Sequence, residues 1–337
     1  LKTTLKYLIV LTLIISLISI VGCNKKTARA NQLVRFAIDT AGDTGIQFRV
    51  ARAKGLFEKH GIKAEFSDYA YGVDTLNAVI TGTADTGIAA DYAAINRLSG
   101  DNMKIVATIS RSGQNENKDK NKSGNVLLGK GIDSPKELKG KKLGVSKGTV
   151  MEYLWVKYLN HHNIKDDEVK FVALQSPAET LAAIQSGDID AAFFNGELIP
   201  KVKNIEGIKE IGSSSEVEFS VRGFFLAKNE LANKDPKLVS NILKALNEAT
   251  EFIKKNPDEA ADIVYKELKV PKETVLEQIK VTNRVVEFND EDYEHLNEIK
   301  EWGDNKGIFK KYELRNTIDT KPLKEAFSDK VSFQNDK

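Results

Sequence analysis

The residues of this chain that can do chemistry sit in short loops rather than in dense clusters. In "VSKGTVMEY", Lys147-Gly148-Thr149 ends an apolar run, turns, and enters a helical pattern near Val150. Free amides at a helix start carry about half a positive charge, so this loop suits an anionic group, with Lys147 adding charge beside it. Thr149 serves equally well as a plain helix cap, with Lys147 solvated. Arg222, in "SVRGFF", offers a planar fork that can grip a sulfonate or carboxylate through two parallel bonds; a surface arginine at a strand start reads the same way. In "DTAGDTGIQF", Gly42 and Gly45 let backbone approach a ligand, while Thr44 and Gln47 supply side-chain hydrogen bonds. A tight turn would also explain those glycines. Two further loops, Ala90-Asp91-Tyr92 and Asn195-Gly196-Glu197, add carboxylates, an amide and a phenol. Asp91, Glu197, Lys147 and Arg222 together would make a site of mixed sign, better matched to a zwitterion or a neutral polar ring than to a bare oxyanion.

Other chemistries find little support. The four histidines are His60, His161, His162 and His295, and the adjacent pair is expected to diverge on a helix. No Cys/His set has metal-ligand spacing, and neither a Gly-x-Ser-x-Gly elbow nor a Walker loop occurs. The expectation is a binding protein, not an enzyme, with no metal and no cofactor. Fifty Lys and Arg oppose 48 Asp and Glu without a basic stripe, so no nucleic-acid partner is expected.

The positioning elements come from a repeated phrase. Residues 76–91, "LNAVITGTADTGIAAD", and residues 181–196, "LAAIQSGDIDAAFFNG", align without a gap: Leu76/Leu181, Gly82/Gly187 and Asp85/Asp190 are each 105 apart. Each phrase reads as a helix, a left-handed glycine stop, and a buried strand. The echo extends upstream. "GLFEKHGIKAEFSDY" and "YLNHHNIKDDEVKFVAL" each give a helix, a stop at Gly61 or Asn163, and a strand centred on Phe66 or Phe171. Before these, "VRFAID" and "KKLGVS" are strands feeding Gly-containing loops and helices. The order βαβαβ therefore occurs twice, which predicts two α/β lobes with mainly parallel sheets. Ligands of such sheets lie beyond the carboxyl ends of the strands, so the paired loops are expected to face a shared cleft.

Features outside the repeat complete the organisation. "LKTTLKYLIVLTLIISLISIVGCNKK" places Lys2 and Lys6 before an uncharged run from Tyr7 to Val21. At ~1.5 Å per residue that run spans ~22 Å, short of a ~30 Å hydrocarbon core, which favours an export signal. Ile20-Val21-Gly22-Cys23 resembles a bacterial lipobox. Residues 1–22 are thus expected as signal peptide, Cys23 as the lipidation site, and 23–32 as a tether on the outer face of the cytoplasmic membrane. A signal cut elsewhere, or a short uncleaved anchor, is the alternative. Cys23 is the only cysteine, so no disulfide is expected. Asp235-Pro236 and Asn256-Pro257 each place a cap before a first-turn proline, framing the amphipathic "LVSNILKALNEATEFI". Between Ser112 and Ser123, "SGQNENKDKNKS" reads as a polar loop.

The stretches "GLFEKHGI", "AVITGTADTGIA", "SPKELKGKKLGVSKGT" and "LAAIQSGDIDAAFF" resemble the substrate-binding lipoproteins of ABC importers. The similarity is to the branch handling aliphatic sulfonates, taurine, nitrate and thiamine-pyrimidine precursors, over about residues 33–330. It implies a type II periplasmic-binding fold: lobe 1 from 33–127 and 223–330, lobe 2 from 128–222, and a tail at 331–337. The crossing segments are placed in "GNVLLGK" and "RGFFLAKN". The resemblance also implies that the Lys147-Gly148-Thr149 loop contacts ligand, that separate permease and ATPase subunits are partners, and that the protein acts as a monomer. Many sulfonate binders carry a Trp-Glu pair where this chain has Asn195-Gly196-Glu197. The solute therefore stays open between a sulfonate or taurine-like compound and a heterocyclic vitamin precursor. Enzymes on this fold that resemble the pyrimidine binders depend on a cysteine-rich motif, which is missing here.

Overall fold

The computed structural model describes residues 31–40, 44–112, 125–217 and 219–334. The export signal, Cys23 and nearly all of the polar loop after Ser112 lie outside the described residues, as do Gly42 and its neighbours.

Two sheets organise the chain. The first begins with β1 (Gln32–Asp39), β2 (Ile62–Tyr69), β3 (Thr86–Ala90) and β4 (Met103–Ser112). The second takes β5 (Val126–Lys130), β6 (Lys142–Val145), β7 (Lys170–Ala173), β8 (Ala191–Phe194) and β9 (Ile208–Ser213). The chain then returns to the first sheet as β10 (Val221–Lys228) and β11 (Thr282–Glu287). Strand orders are β2-β1-β3-β10-β4-β11 and β7-β6-β8-β5-β9. In each sheet the three repeated strands pair in parallel, with the first at the centre, and an antiparallel strand follows the third. The doubled βαβαβ order is borne out.

Helices cover the first sheet early in the chain as α1 (Ile46–Ala53), α2 (Leu56–Lys59), α3 (Gly72–Ile80) and α4 (Asp91–Leu98). The second sheet carries α5 (Val150–His161), α6 (Pro177–Ser186) and α7 (Leu198–Lys203). The carboxyl-terminal part adds α8 (Asn229–Lys234), α9 (Pro236–Lys255), α10 (Pro257–Leu268), α11 (Lys272–Val281), α12 (Asp290–Asn305) and α13 (Lys321–Ala326).

Local chemistry explains the repeated phrase. Gly82 and Gly187 take φ of 79° and 86°, the left-handed stop that a Cβ would strain. The echoed aspartates then tie each third strand to the central one. Asp85 N–H donates to the Arg35 carbonyl at 2.8 Å, and the Asp85 carboxylate accepts from Arg35 N–H at 2.9 Å. Asp190 repeats this on Lys142, at 2.8 and 2.7 Å. In the first sheet the Arg35 side chain adds a two-pronged grip on Asp85 at 2.6 and 3.0 Å. Burial by itself would raise the Asp85 carboxyl, but the Arg35 bonds outweigh it and hold its pKa below the usual value.

A large apolar core fills the first sheet's faces, with Phe36 packed among Phe48, Phe57 and Phe66. The second sheet has two smaller cores: Trp155, Leu143 and Phe193 in one, Leu128, Ile184 and Phe194 in the other.

Three expectations change. Both segments named as crossings are strands lying wholly within one sheet. The first sheet's β4 ends at Ser112 before β5 opens the second sheet at Val126, and the second sheet's β9 ends at Ser213 before β10 rejoins the first at Val221. Asp235 caps α9 by accepting from Leu238 N–H at 2.9 Å, but Asn256 turns back and donates to the Phe252 carbonyl at 3.2 Å. The segment set aside as a tail is partly core: Val331 bridges to Phe288, and Phe333 is buried against Phe288 and Tyr293.

Candidate functional site

The carboxyl ends of β1, β2 and β3 lie at the same edge as the amino end of the antiparallel β10. In the second sheet the corresponding edge holds the ends of β6, β7 and β8. Side chains from the two edges touch. Ser146 Oγ donates to Tyr71 Oη at 2.9 Å, and Tyr92 Oη donates to Glu152 Oε2 at 2.9 Å. A Cβ on Gly148 would lie 3.3 Å from Val73 Cγ2, and one on Gly196 would lie 3.7 Å from Thr274 Cγ2. Val150 and Tyr153, in the first two turns of α5, are buried in the apolar core of the first sheet. The edges therefore face each other in a closed arrangement. Desolvation follows: burial pushes the Tyr71 hydroxyl up to about 12, an effect its bond from Ser146 partly offsets. Tyr92 and Tyr153 are driven well above the ordinary tyrosine value, first by burial and then by Glu152 and Glu298.

At the start of α5, Thr149 caps the helix by accepting from Met151 N–H at 3.2 Å. Gly148, at φ 76°, holds the preceding turn. The Gly148 amide, however, donates to Glu152 Oε2 at 2.9 Å, and Lys147 Nζ pairs with Glu152 Oε1 at 2.9 Å. The positive helix end expected to face a ligand anion is thus met by a carboxylate of the helix's own first turn. Thr149-Val150-Met151-Glu152 has the capping-box spacing, so the signal was present in the sequence.

Asp91, fully buried at the start of α4, accepts from Tyr92 N–H at 2.7 Å and from Arg222 N–H at 2.9 Å. Its Oδ2 also lies 2.6 Å from His295 Nε2. Arg222 is neither an open anion clamp nor a surface residue. It is 4% exposed and its guanidinium rests on Asp292 at 2.5 Å, while its Nε has no hydrogen-bond partner among the described residues. Arg111 grips the same Asp292 at 2.7 and 3.1 Å and reaches Glu287 at 2.5 Å. Thr44 is buried near Gly223 and spends its hydroxyl on Asp39 at 3.0 Å; a Cβ on Gly223 would come 2.5 Å from Thr44 Cγ2.

Gln47 is a correction. As the second residue of α1, its amide faces the interior and donates to Thr250 at 2.7 Å and to the Val285 carbonyl at 3.2 Å. Helical phase turns it away from the edge that Thr44 occupies. Ala90 ends β3, half-buried. Asn195 is exposed and reaches Asn125 at 3.4 Å, and Glu197 pairs with Lys201 at 3.3 Å. The expected residues therefore divide: Ala90, Asp91, Tyr92, Lys147, Gly148, Thr149 and Arg222 belong to one contact region, Asn195 and Glu197 to a neighbouring rim.

Beside that region opens a cavity of about 320 Å³. It is lined by Tyr153 and Lys157 of α5, by Phe219 and Ser220 just before β10, and by His295, Glu298 and Ile299 of α12. Tyr153 Oη donates to Glu298 at 3.3 Å, and Lys157 lies 3.6 Å from the same carboxylate. His295 connects the cavity to Asp91. The volume is that of a pocket for a small organic molecule. Sequence reading missed Tyr71, Ser146, His295 and Glu298, because their roles arise from packing far along the chain and no local pattern marks them.

Residues 46–260 match the model of a protein family described as NMT1/THI5 like. The chain belongs to that family. A Brucella abortus chain named as a binding protein is 32% identical over 227 residues, covering 66% of this chain and 67% of its own. A Bacillus subtilis chain named as an aliphatic sulfonates-binding protein is 26% identical over 344 residues, covering 97% and 98%. Among solved structures, the periplasmic aliphatic sulphonate binding protein SsuA of Escherichia coli superposes with a TM-score of 0.67 at 20% identity, covering 85% of this chain and 97% of that one. This NMT1/THI5-like chain thus has the two-lobed α/β fold of periplasmic binding proteins.

Proposed function

We propose that this protein is the extracytoplasmic solute-binding component of an ABC importer, capturing a small sulfonate or taurine-like solute by closure of two lobes. The observation that carries this reading is the meeting of the two strand-end edges, through Tyr71 and Ser146 and through Tyr92 and Glu152, beside a cavity of solute size. A solute touching both lobes favours the closed form by its differential contact energy, and a permease with its ATPase would receive that form. The sulfonate assignment draws on the Bacillus subtilis relative. Binding rather than catalysis fits the relatives, which are named for binding. The proposed lobes divide between β4 and β5 and between β9 and β10, where successive strands belong to different sheets. Lipid attachment at Cys23, on the outer face of the cytoplasmic membrane, is part of the proposal. Among the described residues no helix is long and apolar enough to cross a membrane.

A second reading has its own support. The cavity wall offers aromatic faces from Tyr153 and Phe219 and a carboxylate from Glu298, which suit an aminopyrimidine as well as a zwitterion. Calorimetric titration of the full chain with taurine, an alkanesulfonate, nitrate and an aminopyrimidine separates these. One-to-one binding of a sulfonate supports the first reading, and preference for the aminopyrimidine supports the second. Failure of all four would sink the proposal.

A further inference from the structure

The adjacent histidines do not diverge as expected. His161 ends α5 and His162 follows as the backbone leaves the helix, with the rings 4.9 Å apart and nearly perpendicular. Glu216, in the short turn Ser214–Glu216 where the chain starts back toward the first sheet, brings a carboxylate oxygen to 3.2 Å from His162 Nε2. One nitrogen from each ring and one oxygen of Glu216 all lie within 4.8 Å of one another. A tetrahedral ion with bonds of roughly 2.0–2.2 Å holds its donors about 3.4 Å apart. The His162 and Glu216 atoms already stand at that separation, and the exposed His161 ring needs a shift on the order of 1 Å, available from side-chain rotation.

Supporting contacts resemble those around metal ligands. Glu216 Oε1 accepts from Ser213 N–H at 2.7 Å, which fixes the carboxylate, and the Tyr158 ring lies 4.6 Å from the His162 ring. Two imidazoles and a carboxylate select a borderline transition-metal ion such as Zn²⁺, rather than Ca²⁺ or Mg²⁺, which want oxygen ligands. We propose that His161, His162 and Glu216 form a binding site for a divalent transition-metal ion, with a fourth position left for water. Such an ion ties the last turn of α5 to the first residues of the return crossing. The inference does not rest on the identity of the solute, since none of the three side chains borders the cavity.

The test uses the full chain without a histidine tag, stripped with a chelator, and titrated with Co²⁺ and Zn²⁺. One equivalent should bind, with the visible absorption of a low-coordinate Co²⁺ site. His162→Ala and Glu216→Gln should each weaken binding by about tenfold or more, and His161→Ala should also weaken it. Circular dichroism of the metal-free variants should match the parent, and His161→Ala, at an exposed helix end, remains informative if Glu216→Gln disturbs its turn. Absence of stoichiometric binding, or affinity that the His162 and Glu216 variants both retain, would overturn the proposal.

Discussion

Glu152 is the residue on which the chemistry of the proposed site turns. Its carboxylate takes the Gly148 amide, the Lys147 ammonium and the Tyr92 hydroxyl, and so places negative charge where a ligand anion would otherwise sit. Two like charges roughly 5 Å apart repel by on the order of 1–3 kcal/mol near a protein surface. Glu152→Gln keeps an acceptor oxygen and removes the charge. Calorimetry should then show an alkanesulfonate binding about tenfold more tightly than to the parent; unchanged or weaker binding would mean that the solute's acidic group stays away from the start of α5. Asp292 is the structural counterpart. It serves Arg111 and Arg222 and also closes a capping box with Asn289, at 2.9 and 3.0 Å. Asp292→Ala leaves the buried Arg222 guanidinium without its carboxylate and Arg111 with Glu287 alone, and urea unfolding should report a loss of roughly 3–5 kcal/mol.

Among the elements, the helices divide by what holds their ends. α9 runs for 20 residues with Leu238, Ile242, Leu246 and Ala249 on its buried face, packed over the first sheet. Asp235 satisfies one of its free amides, so Asp235→Ala should cost about 1 kcal/mol in chemical denaturation. Asn256→Ala, before the analogous Pro257, should cost a few tenths of a kcal/mol at most, because that side chain serves the preceding carbonyl and not the next helix. The two prolines looked alike in sequence. What separates them is the side-chain rotation of the preceding residue, which depends on how each helix is packed.

For the whole molecule, the proposed closure should depend on protonation of tyrosines at the contact. Tyr71, Tyr92 and Tyr153 all have folded pKa values raised by burial. A raised value means that the folded, closed form holds the proton more firmly than an open or unfolded one. Its contribution is therefore complete below the ordinary value of about 10 and is lost as pH climbs through the raised values. Small-angle scattering should show constant dimensions from pH 6 to about 9 and expansion above about pH 10, accompanied by tyrosinate absorbance. Expansion with no tyrosinate signal would place the cause elsewhere. Acid should act separately: Asp85, held low by Arg35, gives stability present above the ordinary aspartate value and lost as pH falls through its depressed one.

The repeat by itself determined the architecture. Helix stops at Gly82 and Gly187, parallel triplets of strands, and aspartates 105 residues apart are local instructions, each acting within one βαβαβ unit. Loop chemistry was legible as far as residue type, since Asp91 and Lys147-Gly148-Thr149 do lie at the meeting edges. Which partner each side chain takes was decided only by tertiary packing. Arg222 finds Asp292, 70 residues on, and Asp91 finds His295, 204 residues on. Gln47 turns inward to Thr250, 203 residues away. A charge commits to whichever opposite charge or dipole burial brings within reach, and burial is a property of the closed molecule rather than of any window along its chain.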